Sequence, residues 1–215
     1  MIIAREIRLT LSILIIIAIM SKVYLGWLPA LLLLCVISLV AYIFRDPVCN
    51  IPSAPLAIVS PVSGTILKVE STTDTWLNRP AVKIRIGMSY LDVHTLRSPI
   101  EGKVRNQWAQ SDSEKGIKNR YTYWIQTDEG DDIVYSIGTV NFSPFLGINL
   151  RCGERTGQGQ KSGYLYFSGI VDVYIPETSR VLINPDEKID AGSSILALII
   201  HKSGAQLTST QVPVT

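Results

Sequence analysis

The residues in this chain with the types needed for chemistry are few and widely spaced. There are two histidines, His94 and His201, far apart in sequence. His94 lies in Leu91-Asp92-Val93-His94-Thr95-Leu96-Arg97, three positions before Arg97, and a second arginine, Arg120, follows Asn119. A guanidinium matches phosphate or carboxylate bidentately, so Arg97 and Arg120 are candidates for holding an anionic group; two solvated arginines are the plain alternative. Serines adjoin glycines at Ser63-Gly64, Ser168-Gly169 and Gly192-Ser193. A serine becomes a nucleophile only beside a base, and near its normal pKa it is no general base itself at neutral pH. Cys35, Cys49 and Cys152 are scattered. They have neither metal-ligand spacing nor a disulfide framework, so no metal is expected and three free thiols are.

Two kinds of element must position these groups. The chain is 47% hydrophobic and 18% charged with a formal net charge of +2, and the first 44 residues are mostly apolar. Near-neutral charge without a Lys/Arg-rich run gives no electrostatic case for nucleic acid. Residues 1–46 read as a transmembrane helical hairpin, with helices over 6–22 and 29–44 and a turn at Gly26-Trp27-Leu28-Pro29. Each half is at or below the roughly 20 residues of a full span, so a re-entrant hairpin is the alternative to two crossings. Arg5, Arg8 and Arg45 flank the ends and Lys22 lies near the turn. That placement puts both ends, and the rest of the chain, on the cytoplasmic side of an inner or cytoplasmic membrane. No small-x-small cleavage site follows Met20, which disfavours a signal peptide.

Residues 47–57 read as a Pro-rich linker, 58–201 as a β domain and 202–215 as a polar tail. Strands are expected at Thr65–Val69, Ala81–Ile86, Tyr121–Gln126, Ile133–Ile137, Tyr164–Phe167, Val171–Ile175 and Ile195–Ile200, punctuated by Gly, Pro, Asn and Asp. A short repeat, Ser60-Pro61-Val62-Ser63-Gly64-Thr65-Ile66 and Ser98-Pro99-Ile100-Glu101-Gly102-Lys103-Val104, describes an extended entry, a tight turn and a strand start. Such units occur in barrel-sandwich folds. No lysine stands at a hairpin tip in a carrier context.

Six segments in order resemble the short, membrane-bound phosphatidylserine decarboxylases. Tyr42-Ile43-Phe44-Arg45-Asp46-Pro47 is similar to the family's Phe-Arg-Asp-Pro, and Ser60-Pro61-Val62-Ser63-Gly64 to its Ser-Pro-Ala-Asp-Gly. The His94 segment through Gly102 is similar to Asp-Val-His-x-x-Arg-x-Pro-x-x-Gly. Lys118-Asn119-Arg120 stands where the family has Asn-Glu-Arg. Phe167-Ser168-Gly169-Ile170-Val171-Asp172-Val173-Tyr174-Ile175-Pro176 resembles Phe-Gly-Ser-Arg-Val-Asp-Val-Tyr-Leu-Pro, and Ala191-Gly192-Ser193-Ser194-Ile195-Leu196-Ala197 resembles Ala-Gly-x-Thr-x-x-Ala. The resemblance implies a mainly β, barrel-sandwich decarboxylase domain behind the helical hairpin. It also implies a pyruvoyl group that the chain makes from its own serine by self-cleavage, and that serves as an electron sink.

At the positions the resemblance marks for that chemistry, this chain departs. The serine position is Gly169, the glycine before it is Ser168, the arginine after it is Ile170, and the aspartate of Ser-Pro-Ala-Asp-Gly is Ser63. His94 is retained. The expectation is a non-catalytic homologue, with no cofactor unless it cleaves itself, acting as a scaffold subunit or phospholipid-binding module. Its partners would be membrane lipid and other membrane-protein subunits, and His94, Arg97, Asn119 and Arg120 are the head-group candidates. Two alternatives stand. One is an active self-processing decarboxylase, cleaved before Ser168 or Ser193. The other is a membrane-fusion-type adaptor, although no sustained heptad pattern supports its long α-hairpin.

Overall fold

A computed structural model of the chain describes residues 2–3, 8–43, 45–46, 49–54, 56–111, 117–140, 146–165 and 168–201. The tail 202–215 and the motif residues Phe44, Pro47 and Phe167 lie outside the described residues. Two helices come first, α1 (Arg8–Leu25) and α2 (Trp27–Ile43), between two short strands, β1 (Ile2–Ile3) and β2 (Arg45–Asp46). The β domain follows with β3 (Ala57–Val59), β4 (Gly64–Asp74), β5 (Arg79–Gly87), β6 (Thr95–Arg97), β7 (Gly102–Ser111), β8 (Ile117–Gln126) and β9 (Asp132–Val140). It ends with β10 (Leu146–Ile148), β11 (Arg155–Thr156), β12 (Lys161–Leu165), β13 (Gly169–Pro176), β14 (Arg180–Val181), β15 (Lys188–Ile189) and β16 (Ile195–Leu198).

The hairpin turns on one residue. Gly26 has φ +91°, a conformation that costs glycine nothing and a β-carbon much, so α2 starts at Trp27 and Pro29 falls in its first turn, where its missing N–H is harmless. The break is therefore narrower than the four-residue turn read from sequence. Ile2 and Ile3 pair antiparallel with Asp46 and Arg45, which brings the two ends of the hairpin together. Lys22 Nζ sits 4.2 Å above the Trp27 ring at the other end. The helices are 18 and 17 residues long, about 27 and 26 Å at 1.5 Å per residue, against a hydrocarbon core of about 30 Å. Among the described residues no helix is long and apolar enough to cross a membrane, which corrects the expectation of a transmembrane hairpin. The hairpin's surface is nonetheless apolar: Ile16, Leu28 and Leu32 are 59%, 86% and 66% exposed.

The β domain is a curled, eight-stranded antiparallel sheet, a half-barrel, ordered β11-β7-β8-β9-β13-β5-β4-β15. Two three-stranded sheets, β10-β12-β6 and β14-β16-β3, share one core with it, to which they bring Leu165, Leu96, Leu196 and Ile58. Period-two alternation decides which side chains enter that core. On β5, Val82, Ile84 and Ile86 point in while Lys83 and Arg85 point out; on β13, Val171, Val173 and Ile175 point in while Asp172 and Tyr174 point out. A smaller cluster of Ala81, Val134 and Tyr174 with Trp76, Leu77 and Trp124 covers part of the outer face.

The Ser-Pro repeat is the visible trace of an internal two-fold. Ser60 Oγ donates to Val62 O at 2.6 Å and Ser98 Oγ to Ile100 O at 2.8 Å. The copies bond to each other, Val59 N to Pro99 O and Arg97 N to Pro61 O, both at 2.8 Å. Each ends in a glycine, Gly64 or Gly102, where a β-carbon would strike the carbonyl of the neighbouring strand, at Gly87 or Gln126. The sheet order is accordingly matched from its two ends, β4 and β5 answering to β7 and β8.

Candidate functional site

The backbone gathers most of the marked positions into one region. Leu165, the last residue of β12, donates its N–H to the carbonyl of His94 at 2.9 Å. The His94 ring is fully buried and stacks on Tyr164 with centroids 6.0 Å apart. Leu165 also lies against Gly169, which opens β13 opposite Thr139 of β9 and accepts a hydrogen bond from Met88 N at 3.0 Å. Next to His94, Val93 and Arg97 share a cavity of about 260 Å³ with Ser63, Cys49, Asp190 and Ser193. Arg97 donates to Gly159 O at 2.9 Å. Ser63 is buried, and its hydroxyl accepts from Ala191 N at 3.0 Å. Cys49 Sγ lies 3.2 Å from Ala191 O and 3.3 Å from Ser193 Oγ.

Gly169, where the resemblance puts the self-cleaving serine, is the first residue of β13. A β-carbon at 169 would lie 2.7 Å from Leu165 Cδ2 and 2.8 Å from Gly138 O. Real β-carbons do not approach that closely, and the carbonyl belongs to a paired strand that cannot yield alone. Ser168 is half-buried. It stands immediately before β13. Gly192-Ser193 is a turn with Gly192 at φ +74°, as its sequence suggests.

Asn119 and Arg120 lie elsewhere. Both are on β8, and Arg120 joins the outer face of the sheet, where Arg85 pairs with Asp172 and Asp172 with Ser136 across neighbouring strands. Arg85 grips Asp172 bidentately, Nε to Oδ1 at 2.7 Å and Nη2 to Oδ2 at 3.1 Å. Arg120 Nη1 donates to Oδ2 at 2.8 Å and Lys83 Nζ is 3.5 Å from the same oxygen. Asp172 is fully buried. Burial pushes its carboxyl up, but the Arg85 hydrogen bonds, the charges of Lys83 and Arg85 and the Arg120 hydrogen bond outweigh that and hold it below its ordinary value. Tyr174 beside it is pushed up to about 12 by burial and by the Asp172 charge. The structure thus separates the four head-group candidates, with His94 and Arg97 in one region and Asn119 and Arg120 in another. Sequence reading overlooked Lys83, Arg85 and Asp172, although a signal existed: Lys-x-Arg and an aspartate stand at the outward positions of two aliphatic strands. Among the described residues no cluster of His, Cys, Asp and Glu could hold a metal.

A half-barrel with a two-fold repeat and a buried histidine against β12 defines a class of β protein, and sequence comparison gives its family. The family model for phosphatidylserine decarboxylase matches residues 36–197. The phosphatidylserine decarboxylase proenzyme of Nitrosomonas eutropha is 33% identical over 194 residues, 85% of this chain and 88% of that protein. Those of Nitrosomonas europaea and Burkholderia ambifaria are 31% identical (84% and 88% covered) and 34% identical (74% and 78% covered). No solved structure matches. This chain belongs to the phosphatidylserine decarboxylase family. Glycine at 169 has no side chain from which a pyruvoyl group could form, and a β-carbon there would meet Gly138 O and Leu165 Cδ2 at under 3 Å.

Proposed function

We propose that this chain is a membrane-anchored, non-catalytic member of its family that acts as a phospholipid-binding module or as a scaffold subunit for other membrane proteins. The observation that carries the reading is Gly169, side-chainless and closed over by Gly138 O and Leu165. The cavity lined by Ser63, Val93 and Arg97 agrees with it, since Ser63 supplies a hydroxyl already engaged by Ala191 N where self-processing would call for a base.

Anchoring is supported by the hairpin's exposed apolar surface, far larger than soluble proteins leave uncovered, and by the meeting of its ends at β1 and β2. Helices of this length suit a re-entrant hairpin that enters and leaves on one face. Tyr24, Trp27 and Lys22 mark its tip, and the sequence's arginines at positions 5, 8 and 45, flanking the two apolar runs, favour the cytoplasmic side for its ends. The β domain then lies on the cytoplasmic side.

The names of the relatives favour a second reading, an active proenzyme, which here would be cleaved before Ser168 or Ser193. Incubation of the purified full-length chain with phosphatidylserine in detergent separates the two. The expected result is no phosphatidylethanolamine and no CO2 above a boiled control; turnover would establish the second reading. The adaptor alternative loses its support, since the helices among the described residues are the N-terminal pair alone.

A further inference from the structure

One end of the β domain carries exposed apolar side chains where a polar tip would be expected. Between β5 and β6 the chain turns at Tyr90 and Leu91, which are 57% and 62% exposed. Turn residues are mostly Gly, Pro, Asn, Asp or Ser; here they are a tyrosine and a leucine. The turn is held by its own hydrogen bonds, Ser89 N to Asp92 Oδ2 at 2.7 Å and Asp92 N to Ser89 O at 3.2 Å. Leu67 extends the patch. It falls in the bulge of β4 between Ile66 and Lys68, is half exposed, and lies against Gly87, three residues before Tyr90. Bulges re-aim side chains, and this one leaves Ile66 in the core and Leu67 outside.

The root of the hairpin stands beside this patch. Arg45, of β2, lines one cavity of about 260 Å³ together with Val93, and Val93 follows Tyr90 by three residues, at most about 10 Å of chain. We infer that the turn of Tyr90 and Leu91, with Leu67 behind it, is a second membrane contact, seated in the interfacial layer of the bilayer that receives the hairpin. The inference rests on the hairpin's anchoring and adds to it the end of the β domain that lies on the lipid. Continuity selects lipid over other apolar partners: a bilayer that takes in α1 and α2 has its surface at their ends, at Arg45, within reach of the turn. The residue types agree. Tyrosine suits the membrane interface, with an apolar ring and a polar tip, and the leucine beside it supplies apolar area. Asp92, the one carboxylate among residues 88–93, is tied back to Ser89 N. A turn already fixed in shape loses little conformational entropy on docking.

Photocrosslinking of the full-length chain on phosphatidylcholine vesicles tests this, with p-benzoylphenylalanine in place of Tyr90 and, in a separate chain, of Thr75. Thr75 is exposed and lies beyond the other end of β5, whose nine residues span about 30 Å. Flotation first establishes that each chain is on the vesicles. The expected result is an adduct of one phosphatidylcholine mass at position 90 and none at position 75. Leu91→Asp, at an exposed position, lowers the adduct yield by about fivefold or more, the effect of one buried leucine on a docking equilibrium. Its flotation persists, because the hairpin carries it, and an unfolding midpoint equal to wild type in detergent verifies its fold. Four results in a chain that floats would overturn the inference and leave the anchoring intact: no lipid adduct at position 90, an equal yield at position 75, an undiminished yield in folded Leu91→Asp, or a crosslink from position 90 to a second copy of the chain in place of lipid. A chain that does not float overturns the anchoring, and the inference with it.

Discussion

Asp172 shows how one carboxylate can be both buried and ionised. Desolvation alone would favour its neutral form, yet three cations within 3.5 Å of its oxygens reverse that. Asp172→Asn leaves those cations without their counter-charge on a packed sheet, and removing one partner of a buried ion cluster costs about 3–5 kcal/mol. Chemical denaturation at neutral pH will show it as a lowered midpoint. Because the folded-state pKa is depressed, the stabilisation is complete above the ordinary carboxylate range and is lost as pH falls below it toward the folded value. The gap between wild type and Asp172→Asn therefore narrows only in that acid range. Gly169→Ala places a methyl group against Gly138 O and Leu165 Cδ2, an overpacking cost of about 1–3 kcal/mol measurable in the same way. The departures at Ser63 and Gly169 were legible in sequence because they are absences within a recognised pattern. The Asp172 cluster was not, because its members come from positions 83, 85, 120 and 172, and only strand register puts them side by side.

At the scale of elements, the hairpin divides the legible from the hidden. Two apolar runs around a glycine announce two helices, but the single-residue break depends on the φ of Gly26, which no composition reveals. The strands β5, β8, β9 and β13 were found from their aliphatic alternation, each shorter than it is. Strand β7, Gly102–Ser111, was missed beyond its first residues, because after Val104 its sequence is polar and it owes its length to pairing with β8. If the exposed faces of α1 and α2 lie in lipid, an arginine there costs about 2.5–3.5 kcal/mol. Leu32→Arg, at a position 66% exposed, should then shift the full-length chain measurably toward the unbound fraction in flotation with phosphatidylcholine vesicles. Unaltered flotation would remove α2 from the bilayer.

The whole molecule is organised by its repeat. The two Ser-Pro segments were visible as a seven-residue echo, yet the symmetry extends to the flanking turns: Gly192 N donates to Ser60 O at 2.7 Å and Gly159 N to Ser98 O at 2.8 Å. Sequence similarity outside the echo is too slight to show this, since backbone hydrogen bonding carries it. Gly64 and Gly102 hold equivalent places against neighbouring strands, so Gly64→Ala and Gly102→Ala are expected to destabilise by comparable amounts, roughly 1–3 kcal/mol each. Unequal losses would show that the halves differ in rigidity despite equivalent bonding. The two halves are not alike where β13 begins, at Gly169, which pairs with Thr139 of β9.

Intact-mass spectrometry of the purified native protein, with and without hydroxylamine, tests the non-catalytic reading most directly. A non-catalytic member remains one uncleaved chain with no carbonyl adduct. A break before Ser168 or Ser193, leaving a C-terminal piece of 48 or 23 residues whose terminus reacts as a ketone, would contradict the account and make this chain a working decarboxylase.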